Sequence, residues 1–142
     1  MSEADRSTQA AWALLMRTSQ KLLDEVEAAL KAAGLPPLAW YDVLLELEKA
    51  GDEGMRPFEL KNRLLLPQYG TSRLLDRMVT AGLVDRQDCE DDGRGQIVSI
   101  SDRGRETRAS MWPVYGEVLA TRIGARLSRE ETVQLARLLS KI

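Results

Sequence analysis

The sequence predicts a mainly α-helical fold with one small β-hairpin. Apolar residues recur at helical spacing along most of the chain, and short segments containing Gly or Pro separate the helical stretches. One short region instead has two strand-like segments on either side of a polar loop that contains glycine, which is typical of a hairpin. The 142 residues fit a single domain spanning 1–142, long enough to bury a sizeable core.

The first predicted helix covers about residues 8–33 and carries a broad apolar stripe. It ends at Gly34, and two prolines follow shortly afterwards. A helix with so wide an apolar face needs more partner surface than a small core supplies. We therefore expect part of this helix to pack against a second protein chain. The stripe includes Trp12, Leu15, Leu22, Val26 and Ala29.

The second predicted helix covers about residues 38–50. Pro37 stands near its first position, where the missing N–H of proline costs nothing because that N–H has no helical partner. The acidic and glycine-containing run 51–54 predicts a turn. Met55 and Arg56 then leave room for a short strand before the next helix.

Two shorter helices follow, at about residues 57–64 and 67–81, and Gly82 ends the second of them. Phe58 is expected on the buried side of the first. The opposite sides of the second differ in chemistry. Its buried side has Leu74, Leu75 and Met78, and its polar side has Gln68, Thr71, Ser72, Arg73 and Arg77. Short polar and guanidinium groups of this kind bond to base edges and phosphates.

The hairpin is predicted from strands at about 83–87 and 97–100, joined by the polar loop 88–95. Ser101 is expected to cap a helix over about 102–125, which Pro113 should kink or interrupt. Ser128 opens the last helix with the spacing of a capping box, and that helix has an apolar side.

Composition excludes several classes of protein. The chain has no histidine and a single cysteine, so we expect no Ser-His-Asp triad, no zinc site, no internal disulfide, no cofactor and no enzyme activity. No apolar run is long enough for a membrane span, and the polar N-terminus does not resemble a signal peptide, so a cytoplasmic location is expected. The net charge is −2, yet residues 55–79 carry five basic and two acidic side chains, which concentrates positive charge locally.

Two helices, a hairpin and this local positive charge together indicate a winged helix-turn-helix. Such a fold places one helix in a DNA major groove, and an arginine at the hairpin tip, here Arg94, can enter a minor groove. The lobe that binds DNA would cover about 38–101. The flanking helices, about 8–33 and 102–142, would form a two-fold dimer. Its recognition helices would lie about one DNA turn apart, ~34 Å.

Four motifs in order resemble the MarR family (multiple antibiotic resistance regulators) over nearly the whole chain. They are residues 72–78 of the recognition helix, the GLVDR segment 82–86, the DGRG loop 92–95 and the segment 99–104 that enters the fifth helix. The resemblance implies a homodimeric repressor of a palindromic operator, released from DNA when a small phenolic or other aromatic ligand binds. It also implies that Arg94 enters the minor groove. Asp76 and Asp92 would position the wing, with Asp76 paired to Arg94 or Arg77.

Trp12, Met16, Trp40 and Tyr41 are candidates for the effector pocket, although each could equally be ordinary core or dimer packing. Cys89 lies among acidic residues, which should raise its thiol pKa and make it unlike the reactive cysteines of redox sensors. The acidic loop and the negative net charge also leave open a second function, a winged-helix module that binds protein and not DNA.

Overall fold

The computed structural model describes residues 3–66, 70–89 and 95–142. Six α-helices and two strands occur in these ranges: α1 Arg6–Ala32, α2 Leu38–Ala50, α3 Pro57–Arg63, α4 Thr71–Thr80, β1 Val84–Cys89, β2 Gly95–Ile100, α5 Asp102–Leu119 and α6 Arg129–Leu139. The mainly helical class with one hairpin is as predicted from the sequence.

The two strands pair antiparallel from Val84 opposite Ile100 to Cys89 opposite Gly95, so they extend further than the sequence indicated. We call this hairpin the wing. The short strand predicted at Met55 is present as a single bridge to Val98, with N–H to O distances of 2.9 Å in both directions. The bridge places the segment before α3 beside β2, which makes it a third, one-residue strand of the wing.

A first core lies between α2, α3, α4 and the wing. Val43, Leu44 and Leu47 of α2 are fully buried there. The members contributed by other elements are Met55, Leu60, Leu75, Met78, Leu83, Val84, Val98 and Ile100. Because these residues come from every element of the lobe, their burial fixes α3 and α4 relative to the wing.

A second core forms where α1, α2 and α5 meet, and consists of Val26, Leu30, Leu38, Tyr41 and Met111. Polar contacts at its edge tie the same helices together. Glu27 accepts a hydrogen bond of 2.6 Å from the backbone N–H of Leu38, and Arg108 of α5 pairs with Glu48 of α2. Helix α2 therefore belongs to both cores and connects the lobe to the long helices.

Capping interactions predicted from the sequence are present. The Ser101 hydroxyl accepts a hydrogen bond from the Gly104 N–H at the start of α5, and it also donates to the Gly82 carbonyl at 2.6 Å. Ser128 and Glu131 form both hydrogen bonds of a capping box at the start of α6. Apart from the bond to Gly82, these contacts join residues only three positions apart in sequence. Local sequence patterns predict them well because both partners lie in the same short segment.

Two local predictions were wrong, and a third was wrong in part. Helix α4 begins at Thr71 and not near residue 67, because Gly70 adopts a left-handed conformation (φ 79°) that an α-helix cannot include. Helix α5 is not interrupted at Pro113 but continues through it to Leu119, where the π-helical turn Ala120–Gly124 follows; the alternative, a kink at Pro113, stays a prediction. Phe58 is 64% exposed, since Leu60 supplies the buried side chain of the seven-residue α3.

Large apolar side chains are exposed on two of the helices outside the lobe. In α1 they are concentrated in the N-terminal half, and in and after α6 they recur along its length: Trp12, Leu14, Leu15, Met16, Val133, Leu135, Leu138, Leu139 and Ile142. Exposed apolar surface of this extent marks an interaction site in a protein monomer. Among the described residues, no helix combines the length and the hydropathy needed to cross a membrane.

Candidate nucleic-acid interface

Helix α4 has one buried and one exposed side. Leu75 and Met78 are fully buried in the first core, whereas Ser72, Arg73, Asp76 and Arg77 are exposed. Within the described residues neither Arg73 nor Arg77 forms an ion pair with a carboxylate. Because the two arginines are four residues apart, they lie on the same side of the helix, one turn from each other.

Thr71 does not belong to this exposed side, contrary to the prediction. It is only 9% exposed, and its hydroxyl oxygen has no hydrogen-bond partner among the described residues. Thr71 precedes Leu75 by four residues and Met78 by seven, so all three fall on one helical stripe. The spacing that correctly placed Leu75 in the core therefore also places Thr71 there, and Thr71 leaves the set of DNA-facing candidates.

Asp76 pairs with Arg86 of β1 and forms no ion pair with Arg77, while Arg94, the other expected partner, lies outside the described residues. The same guanidinium donates a second hydrogen bond, of 3.3 Å, to the backbone carbonyl of Ser72. Arg86 reaches α4 because it follows the buried Val84 by two residues, which puts both side chains on the same face of the strand. One strand residue thus contacts α4 at two points one turn apart and sets the angle between helix and wing.

The remaining DNA-facing candidates lie outside the described residues. They are Gln68 before α4, and Asp92 and Arg94 in the wing loop. Arg94 directly precedes Gly95, the first residue of β2. Their proposed contacts with DNA, and the role of Asp92 in positioning the wing, stay predictions.

Asp42 of α2 anchors the segment that follows α3, a role the sequence did not reveal. The carboxylate is 6% exposed, and its two oxygens accept hydrogen bonds from consecutive backbone amides, Leu65 at 3.0 Å and Leu66 at 2.8 Å. A buried carboxylate is tolerated only when hydrogen bonds replace the lost water, and here two amides do so. The single available signal was an acidic residue inside an otherwise apolar helix face.

The four residues predicted for an effector pocket have different surroundings in the described structure. Trp12 is 62% and Met16 50% exposed on the N-terminal half of α1. Trp40 packs against the first core and Tyr41 belongs to the second, so adjacent residues of α2 point in different directions. A pocket lined by all four stays a prediction.

Tyr41 instead forms an aromatic cluster with two side chains of α5. Its ring stacks on Trp112 at a centroid distance of 6.3 Å and meets Tyr115 edge-on at 5.1 Å, while Trp112 and Tyr115 lie 5.5 Å apart. Burial raises the pKa of the Tyr115 phenol, and the nearby Tyr41 and Asp42 raise it further. Trp112 and Tyr115 are three positions apart in α5, a helical spacing that predicts a shared face.

The chain is similar to proteins of known family. A sequence model described as the MarR family matches residues 33–95, which include α2, α3, α4 and β1. Over this stretch the chain matches the MarR family. Over 129 residues it is 25% identical to the transcriptional repressor MprA of Escherichia coli K12, a match that covers 91% of this chain and 72% of that protein.

Solved structures of MarR-family proteins have the same fold. A mutant form of MarR from E. coli, complexed with operator DNA, gives a TM-score of 0.80 at 25% identity and covers 97% of this chain and 98% of that one. An organohalide-sensing transcriptional regulator in its 2,4-dichlorophenol-bound form also gives 0.80, at 20% identity, with 99% and 84% covered. MarR-family members are transcriptional regulators and not enzymes.

Proposed function

We propose that this MarR-family chain is a homodimeric repressor that binds a palindromic operator through α4 and the wing. The observation that carries the proposal is the exposed side of α4, where Arg73 and Arg77 lie one turn apart without ion-pair partners among the described residues. Guanidinium groups so placed can bond to guanine edges and to phosphates. Arg86 of the wing holds α4 at Ser72 and Asp76, and Asp42 holds Leu65 and Leu66 in the segment after α3.

A dimer follows from the apolar surface of α1 and α6. In a two-fold dimer built on those helices, two copies of α4 would meet successive major grooves about 34 Å apart, and the operator would be palindromic for the same reason. Similarity to the E. coli repressor MprA supports repression, and similarity to MarR bound to its operator supports DNA as the partner.

We further propose that a small aromatic or phenolic ligand binds beside Tyr41, Trp112 and Tyr115 and weakens DNA binding. Aromatic rings in offset or edge-on contact offer an apolar surface, and the Tyr115 phenol adds a polar group. The cluster joins α2 of the lobe to α5, so a ligand there would favour a different spacing of the two lobes. The likeness to a regulator bound to 2,4-dichlorophenol supports this class of ligand.

The first experiment measures binding of labelled DNA from upstream of the chain's own gene, against scrambled DNA, at several salt concentrations. For Arg73→Ala we expect a loss of about 1–3 kcal/mol of binding free energy and an altered base preference, because one base or phosphate contact is removed. Arg126→Ala, which removes the same charge from an exposed position after α5, is the control and should bind like the wild type. Equal affinities of the two variants would refute a DNA-facing Arg73.

A second variant tests the wing. Arg94→Ala should weaken operator binding while the dimer persists, because a minor-groove contact adds affinity without contributing to the long-helix interface. Anisotropy titrations give the affinity, and sedimentation of the same sample gives the assembly state. Unchanged affinity would remove the wing from the mechanism.

The alternative function is a winged-helix module that binds protein and not DNA. The acidic residues 88 and 90–92 of the wing loop, together with the net charge of −2, are the observation in its favour. Salt dependence separates the two functions, because phosphate contacts make the logarithm of the affinity fall with the logarithm of salt concentration. A chain whose weak DNA affinity does not change with salt would favour the alternative.

A further inference from the structure

Asp42 makes a pair of contacts that connects α2 to the turn of the helix-turn-helix. Its carboxylate oxygens accept from the backbone N–H groups of Leu65 and Leu66, residues 23 and 24 positions away in sequence. Helix α3 ends at Arg63, and the N–H groups of Leu65 and Leu66 donate to Asp42 instead of continuing the hydrogen-bond ladder of that helix. Two charge-assisted hydrogen bonds to successive amides fix both the position and the direction of the chain at this point.

The anchored segment lies where the two cores meet. Leu64 packs against the first core and Leu66 against the second, while the intervening Leu65 points to solvent and is 74% exposed. The apolar contacts on either side prevent the segment from sliding, and the carboxylate holds the exposed residue between them. Leu66 stands five residues before Thr71, the first residue of α4.

We propose that Asp42 is a positioning residue for DNA recognition, which holds Leu65 and Leu66 after α3 so that Ser72 and Arg73 of α4 meet the DNA at a fixed angle. The inference rests on the proposed function, since it concerns how the same interface is held. Asp42 itself is buried in α2 and would not touch DNA. Its effect would pass through Leu65 and Leu66, while Arg86 holds α4 independently from the side of the wing.

Two pairs of variants test the inference. Asp42→Asn replaces one carboxylate oxygen with an NH₂ group, which cannot accept a hydrogen bond from the second backbone N–H. Val43→Ala is its control, because it weakens the adjacent first core and leaves these hydrogen bonds intact. Leu65→Pro removes the N–H that Asp42 accepts, whereas Leu65→Ala shortens the same exposed side chain and keeps the N–H. A proline is compatible with the backbone at position 65. Leu64 is extended (ψ 137°), as the residue before a proline should be, and no non-glycine residue in the described ranges has a positive φ.

Operator affinity is measured well below the melting temperature of each variant, together with hydrogen exchange of the backbone amides in the absence of DNA. We expect Asp42→Asn and Leu65→Pro to lose about tenfold or more in operator affinity. In Asp42→Asn the amides of Leu65 and Leu66 should also exchange faster. Val43→Ala should lower the melting temperature and Leu65→Ala should not, with both keeping the wild-type affinity to within about twofold.

Equal affinity losses in Val43→Ala and Asp42→Asn would overturn the inference, because general loss of stability would then explain both. If Asp42→Asn does not fold, the inference is tested by comparing Leu65→Pro with Leu65→Ala. Equal operator affinities of those two variants would overturn the inference. Hydrogen exchange needs no DNA and keeps this test separate from the proposed function. A wild-type chain without operator affinity would refute the function, whereas unchanged exchange at Leu65 and Leu66 in Asp42→Asn would refute the anchor.

Discussion

Arg86 shows how one side chain can orient two elements without adding much to stability. Its ion pair with Asp76 is partly exposed on the Asp76 side, and such pairs contribute about 0–1 kcal/mol. The second bond, to the Ser72 carbonyl, adds direction, because a planar guanidinium can satisfy two acceptors only in one orientation. We therefore expect Arg86 to matter for the angle between α4 and the wing more than for folding.

Tyr115 carries a pH-dependent contribution to stability. Burial, with Tyr41 and Asp42 nearby, raises its pKa in the folded chain above the ordinary value of 10.0. Well below pH 10 the phenol is neutral in both the folded and the unfolded chain. As the pH rises further, the unfolded chain loses the proton first, so folding stability falls until the folded-state pKa is passed.

In Tyr115→Phe the free energy of unfolding should fall less between about pH 9 and 11 than in the wild type, measured by denaturant titration. Parallel curves for the two proteins would contradict a raised Tyr115 pKa.

Helix α5 begins in a crowded place, and a glycine makes that possible. A Cβ at Gly104 would overlap the backbone carbonyl oxygen of Leu83 and press on the side chain of Ile100. Ser101 caps the same turn and also bonds to the Gly82 carbonyl, so the start of α5 is locked onto the end of α4 and the start of the wing. The junction between the lobe and the long helices is therefore closely packed.

Gly104→Ala should lower the free energy of unfolding by about 1–3 kcal/mol, because overpacking against backbone outweighs the gain of about 1 kcal/mol in helix propensity. The matched control is Gly124→Ala in the π-helical turn, where a Cβ would meet nothing within 4 Å. Chemical denaturation of both variants gives the comparison. A Gly104→Ala chain as stable as the control would show that the start of α5 can move away from Leu83.

At the scale of the whole molecule, the exposed apolar residues of α1 and α6 predict that the working unit contains two chains. Leu138→Glu, which places a charge in the middle of this surface, should produce monomers and weaken operator binding, since each lobe would then bind alone. Gln134→Glu adds the same charge at a polar, exposed position of α6 and should stay dimeric. Sedimentation velocity over a range of concentrations measures the assembly state. A Leu138→Glu chain that sediments like the wild type would exclude α6 from the interface.

The sequence was sufficient to predict the order of elements, most helix ends, the Ser101 and Ser128 caps, the hairpin and the buried side of α4. These features depend on residues close together in the chain, where helical or strand spacing and capping chemistry act directly. The error at Thr71 was also local, since its spacing from Leu75 and Met78 already places it inside. Four motifs in the order typical of the MarR family indicated that family, and the match of the MarR-family sequence model to residues 33–95 supports the resemblance.

Only the tertiary structure decided which distant residues meet. The bonds from Asp42 to Leu65 and Leu66, the pairing of Arg86 with Asp76, and the contact of Tyr41 with Trp112 and Tyr115 each join separate elements. No periodicity within one element specifies such partners, because they depend on how α2 is shared between two cores. The local chemistry of the chain thus sets its helices and strands, and the packing of those elements sets the angle at which α4 is presented.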